Sequence, residues 1–181
     1  MNFRHFLATA ALVVLGPVAA QAADTDWAPV AAALGNSGAE KAGGVYRVGL
    51  PRTDLHVTLE GVEIKPTLAL GSWLAFHGAG ADGMVMGDLV LTETEVNPVM
   101  KRLADGGLEI TALHNHLLRA QPATFYMHVL GHGDPAKLAA ALHDGLALSK
   151  TPMSNPAAVP GAQPSTIDLE TAMIDRTLGV R

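Results

Sequence analysis

The sequence predicts an α+β domain, a mostly antiparallel sheet with helices packed on one face. Three observations carry that expectation. Between residues 26 and 149 short apolar runs are punctuated by Gly and Pro, as a set of short strands requires. Asn97-Pro98 and Asp134-Pro135 each place a capping residue before a Pro and open an apolar pattern at helical spacing. The resulting order is helix, four strands, helix, two strands, helix.

Residues 1–22 stand apart from the domain. They carry one Arg, an almost wholly apolar stretch and Ala20-Gln21-Ala22, an A-x-A cleavage signature, so they read as a secretory signal peptide with Ala23 as the mature N-terminus. The apolar stretch is about 15 residues and is interrupted by Gly16 and Pro17, short of the roughly 20 that span a bilayer. A periplasmic or secreted protein without a stable membrane anchor is expected.

Within the domain, assigned to residues 23–150, residues 26–35 have helical character and end in Leu34-Gly35. Residues 45–50 and 55–64 read as strands; in the second, Leu55, Val57 and Leu59 alternate with His56, Thr58 and Glu60, giving one buried and one wet face. Residues 72–77 and 84–91 are further strands. The next helix is expected to start at the Asn97 cap, with Val99, Met100 and Leu103 inward and Gly106-Gly107 as its stop. A competing capping box of Thr92 with Glu95 is set aside, because it would put Pro98 inside the helix. Residues 108–118 and 124–130 form a hairpin around Ala120-Gln121-Pro122. Leu138, Leu142 and Leu146 then make the stripe of a last helix running to about Leu148.

Beyond residue 150 the character changes. Residues 151–166 place Pro at 152, 156, 160 and 164 and read as a semi-extended linker. Residues 167–181 hold a terminal helix with Leu169, Met173, Ile174 and Leu178 at helical spacing. Aligned without gaps, residues 26–35 and 170–179 share Ala28/Ala172, Leu34/Leu178 and Gly35/Gly179. Either two short helices with Leu-Gly caps look alike by chance, or a second copy of the domain begins here. The terminal helix is expected to dock on the domain or on a second chain, which would make a homo-oligomer, or to stay mobile.

Composition narrows the chemistry. The 181 residues include 12 Lys+Arg and 17 Asp+Glu, a formal charge of −5, with 49% hydrophobic and 4% aromatic residues. That excludes a basic nucleic-acid binder and a largely disordered chain. Cysteine is absent, so disulfides, iron–sulfur clusters, thiolate zinc sites and Cys nucleophiles are excluded. Phosphate-loop and G-x-S-x-G motifs are missing too.

Histidine is the remaining signal. Of eight, His114 and His116 form an H-N-H and His128 lies on the next segment. Residues two apart on a strand share a face, and a hairpin centred on Pro122 sets His116 opposite His128 and His114 opposite Leu130. Three imidazoles then converge, with His116 in the middle, and suit zinc first, with copper or nickel as alternatives. Asp88, in a Gly87-Asp88 break, and Glu95 are the candidate fourth ligands, and Glu95 is also the candidate general base. His132 reads as a turn residue, His56 and His143 as surface, and His77 as a strand-end residue. The letters H-N-H do not imply the nuclease of that name, given the acidic charge and the strand context.

Residues 43–52 (GGVYRVGLPR), 86–100 (MGDLVLTETEVNPVM), 111–118 (TALHNHLL) and the Met127-His128 pair resemble one repeat of the LppY/LpqO family, exported bacterial proteins of unknown function. The resemblance implies that members commonly carry two such units in tandem. It implies also that members named as lipoproteins have a lipidated cysteine, which this chain lacks. It supplies no activity. Three functions follow from the residues themselves: a metal-binding exported protein, a metal-dependent enzyme acting on a small polar ligand, and a non-catalytic envelope interaction module.

Overall fold

The computed structural model describes residues 25–153 and 170–179; the expected signal peptide, the expected mature N-terminus Ala23 and most of the expected Pro-rich linker lie outside the described residues. The described chain runs α1 (Ala28–Leu34), β1 (Ala39–Lys41), β2 (Val45–Pro51), β3 (Val57–Leu59), β4 (Val62–Ile64), α2 (Pro66–Ala69), β5 (Gly71–His77), β6 (Met84–Thr92), α3 (Glu93–Asp105), β7 (Glu109–His114), β8 (Thr124–His132), α4 (Pro135–Leu146) and α5 (Thr171–Leu178). Six strands form one antiparallel sheet in the order β1-β2-β5-β6-β8-β7, and β3 pairs with β4 in a separate hairpin. The α+β expectation holds.

Alternation along the strands builds two cores. Val85, Leu89 and Leu91 of β6 and Met127 and Val129 of β8 point to one face, where they meet Leu34 of α1, Val99 and Leu103 of α3, and the Leu138, Leu142 and Leu146 stripe of α4. Val90 and Tyr126 point to the other face and pack with Val57 and Ile64 of the small hairpin, Leu70 and Ala120. The three longer helices of the domain thus share one face, whereas the single turn of α2 belongs to the other. Helix α4 begins as its sequence signals, with Asp134 accepting hydrogen bonds from the Ala136 and Lys137 backbone N–H groups.

Three expectations change. Residues 55–64 are a hairpin, not one strand: Glu60 and Gly61 adopt φ of 52° and 85°, the two left-handed positions of a tight turn whose twist matches its strands. His143 is half-buried rather than a free surface residue: its Nδ1 lies 2.9 Å from the Leu34 carbonyl and ties α4 to the end of α1. Helix α3 starts at Glu93 with Thr92 as cap, a full capping box with Glu95, and Pro98 inside the helix. Pro98 and Thr94, whose carbonyl would have accepted from residue 98, are both exposed, so water serves the freed acceptor.

What outweighs the proline is a buried cation. Arg52 is fully buried, and its guanidinium donates to both Asp54 oxygens (2.9 and 2.8 Å), both Glu95 oxygens (2.9 and 3.2 Å) and the Val90 carbonyl (2.6 Å). Glu95 also accepts from the backbone N–H of Thr92 at 2.9 Å and of Lys150 at 2.8 Å. A helix started at Asn97 would leave Glu95 outside it and leave Asp54 as this cation's one carboxylate partner.

Helix α5 is exposed at every described position from 170 to 179, with Met173, Ile174 and Leu178 on its surface. Like α1 it ends in Leu-Gly, and Gly35 and Gly179 share the left-handed cap at φ 74° and 69°. Among the described residues no helix is long and apolar enough to cross a membrane.

The buried ion pair generates the first prediction. Burial works to raise the Glu95 pKa, yet the hydrogen bonds from Arg52, Thr92 and Lys150 and the Arg52 charge hold it below its ordinary 4.5. Its contribution is therefore complete above pH 4.5 and is lost as pH falls through the folded value. Glu95→Ala is expected to lower unfolding free energy at neutral pH by about 3 kcal/mol, and to flatten the acid side of the stability profile. Urea unfolding across pH checks both.

Candidate functional site

The face opposite the long helices is covered only in part, and the chemistry gathers where the cover ends. Asp88 of β6 stands opposite His128 of β8, which stands opposite Ala112 of β7; one pair along, Val90, Tyr126 and His114 are aligned. A β-bulge brings His114 to this face. Ile110 pairs with Val129 on the helix side, but the register shifts between Ile110 and Ala112, so Ala112 and His114 pair with His128 and Tyr126 on the open side.

The observed register corrects the expected one. His128 faces Ala112 rather than His116, and His114 faces Tyr126 rather than Leu130. Strand β7 ends at His114, and His116 sits in the wide loop that follows. The central ring is accordingly His114, not His116. It lies 4.8 Å from His128 edge-on and 4.7 Å from His116, centroid to centroid. His116 stacks on Tyr126 at 3.9 Å and 13°, and its Nε2 is 2.7 Å from Nε2 of His114. One of these two nitrogens carries the proton and the other accepts it. Tyr126 is fixed in turn by donating its hydroxyl to the Ala69 carbonyl at 2.7 Å.

Asp88 joins the histidines from the neighbouring strand. Its Oδ2 is 3.7 Å from His128 Nε2, and its Oδ1 is buried without a hydrogen-bond partner. Burial pushes its pKa up, against the opposing pull of His128, His116 and His114. His114 Nδ1 is likewise buried and unpartnered. Beside the group opens a cavity of about 430 Å³, lined by Arg47, Gly49, Asp88, His116 and Tyr126 among others. A Cβ added at Gly49 would meet nothing within 4 Å, so the missing side chain leaves the cavity floor bare. On its rim the Arg47 guanidinium lies 5.5 Å over the Trp73 ring.

Of the five residues singled out from the sequence, the structure gathers Asp88, His114, His116 and His128. Glu95 is elsewhere, with both oxygens engaged by Arg52 and backbone N–H groups. The larger cavity, about 820 Å³, opens at that network, where the five Arg52 donors are already in use. Sequence reasoning missed Arg52, whose partner Glu95 is 43 residues away, and Tyr126, whose platform role no spacing signals. Among the described residues no group of three or more His, Asp or Glu is arranged so that it could hold a metal ion as it stands. The ring nitrogens of His114 and His116, 2.7 Å apart, are closer than the about 3.3 Å between two nitrogens on a tetrahedral zinc with bonds of roughly 2.0–2.1 Å.

Comparison with known proteins adds a family. Residues 28–148 match the family described as Domain of Unknown Function (DUF1259). The chain belongs to that family. The matched span of this DUF1259 member starts with α1 and ends just beyond α4, taking in the sheet and the histidine group. No curated protein and no solved structure gives a significant match.

The Asp88 environment yields a prediction with a defined sign. Its folded pKa is raised from the ordinary 3.8, so the folded state binds more protons than the unfolded state around that pH, and stability declines as the carboxyl ionises. Asp88→Asn is expected to stabilise the metal-free protein at neutral pH by on the order of 1 kcal/mol. Below pH 3.8 the gain disappears. Urea unfolding of both proteins at the two pH values measures it.

Proposed function

We propose that this DUF1259 protein is an exported member of the LppY/LpqO group that binds one transition-metal ion through His114, His116 and His128, with Asp88 as the fourth ligand. The observation that carries the reading is the meeting of three imidazoles and a partnerless buried carboxylate oxygen on one open sheet face. Neutral imidazole and carboxylate suit zinc first, and copper or nickel as well. Loading requires His114 and His116 to separate by about 0.6 Å to reach tetrahedral spacing. His116 is exposed and lies in a loop, so it is the ring free to move.

Purified protein is expected to take up one zinc per chain at this site, with affinity falling as pH drops through about 6.5, since protonated imidazole does not ligate. His114→Ala is expected to do the most damage, because that ring touches both others. Each ligand loss should exceed the roughly 10- to 100-fold typical of outer partners. Calorimetric zinc titration decides. Unchanged affinity after replacing all three histidines overturns the metal reading and favours an interaction module.

A metal-dependent enzyme is the second reading, favoured by the cavity of about 430 Å³ against Asp88 and His116. There an open metal position would hold a reactive water beside a small polar substrate, and Asp88, not Glu95, would act as general base. Export rests on the A-x-A signature at 20–22. Mass spectrometry of protein from the cell envelope should find Ala23 as the first residue, and a full-length mass refutes cleavage.

A further inference from the structure

The open face carries a second row of metal-compatible donors, four residues further along the sheet. His77 of β5 pairs directly with Met84 of β6, and Met84 pairs directly with His132 of β8. Directly opposite residues in an antiparallel pair point to the same side, with Cβ atoms about 4.5–5.5 Å apart. The three side chains therefore stand in a line, imidazole, thioether, imidazole. They share the face of Asp88 and His128, because residues 84 and 88 of β6, like 128 and 132 of β8, differ by an even number.

This rung is held in place and open to solvent. It is the last of the sheet, and just beyond it the Gly133 N–H donates to the Gly83 carbonyl at 2.8 Å, joining the chain ends behind it. His77 and His132 are exposed and Met84 is half-buried. Among the described residues neither imidazole makes a side-chain hydrogen bond or an ion pair, so both rings are free to ligate. Met86, one step along the same strand and on the same face, is 49% exposed and offers a second thioether.

We infer that His77, Met84 and His132 form a soft-metal site that takes Cu(I). A thioether is a poor ligand for zinc, calcium or magnesium and a good one for Cu(I), and imidazole accompanies it well. The row holds no carboxylate, which sets it apart from the Asp88 group. This site does not depend on the metal reading of His114, His116 and His128, from which it is separated by about 14 Å at 3.4 Å per residue.

The test is an anaerobic titration of the untagged full-length protein with Cu(I), against a chromogenic Cu(I) chelator, in a variant with His114, His116 and His128 all replaced by Ala. That variant is expected to keep one Cu(I) per chain. Adding Met84→Leu, a near volume-conserving change that removes only the sulfur, should weaken binding by more than tenfold. His77→Ala and His132→Ala should do likewise, and zinc should not compete. X-ray absorption should show sulfur around copper whose coordination number falls with Met84→Leu and is gone when Met86→Leu is added. Circular dichroism melting confirms that each variant is folded, and the exposed positions of the histidines favour this. No Cu(I) bound by the starting variant, or affinity unchanged by Met84→Leu, overturns the site. Failure of zinc to bind the wild type bears on the first reading alone.

Discussion

A buried arginine organises this fold. Arg52 at the end of β2 is wholly withdrawn from water, and a guanidinium is tolerated there only if its five donors and its charge are met. They are met by Asp54, by the Val90 carbonyl of β6, and by Glu95 in the first turn of α3. Glu95 in turn accepts from Lys150, just beyond α4. One cation thereby pins two strands, the start of one helix and the exit of another. With α3 and α4 anchored at this end, the long helices lie across a single face. The opposite face receives only a short hairpin and one helical turn.

That incomplete cover explains the distribution of chemistry along β6. Of its residues on the uncovered side, Met84 and Asp88 are half-buried, Met86 is exposed and Val90 is buried under the hairpin layer. Val90 is dry and packs with Tyr126. Asp88 sits at the rim, where desolvation is strong enough to raise its pKa but neighbouring rings still reach it. Met84 lies beyond the rim between two exposed histidines. The helix-facing residues of the same strand, Val85, Leu89 and Leu91, are uniformly apolar and fully buried. A single strand thus serves stability on one side and presents its polar and thioether groups on the other.

Local signals in the sequence were legible where local physics decides. The Asp134-Pro135 start of α4, its leucine stripe and the Leu34-Gly35 end of α1 all follow from neighbours within one helical turn. The start of α3 does not, because the contact that fixes it joins residues 52 and 95. Local reasoning weighed Pro98 against a capping box and lacked the third term. The β3–β4 turn was hidden because Glu60, a residue with no preference for positive φ, occupies its first position. The hairpin register was misjudged because residues 115–123 form a wide loop and a bulge interrupts β7. Nevertheless the partner of His128 moved from 116 to 112, an even shift, and even shifts keep a side chain on its face. Convergence of the rings survives that error for this reason. Arg52 and Met84 went unread because neither means anything until strands from distant parts of the chain are laid side by side.

The spacing of the two donor groups decides how they would behave together. Asp88 and Met84 are four residues apart on one strand, or about 14 Å. Between them lies the rung of Ala75, Met86 and Leu130, which has no imidazole to share; its charged members, Arg47 opposite Ala75 and Glu109 opposite Leu130, stand one strand further out on β2 and β7. Two ions carrying charges of two and one at that distance repel by about 2.4 kcal/mol at the effective dielectric constant of about 20 typical near a protein surface. Salt reduces this to about 0.4 kcal/mol, since the separation exceeds the Debye length of about 8 Å at physiological ionic strength. The repulsion is less than half of the roughly 1.4 kcal/mol that changes affinity tenfold. Loading one group would leave the other almost unaffected. Selectivity would then be set at each end by its own donors: imidazole and carboxylate beside a cavity at one, imidazole and thioether on open sheet at the other. On these two proposals the partly covered face would carry two distinct ion chemistries, and the apolar core on the helix side would be disturbed by neither.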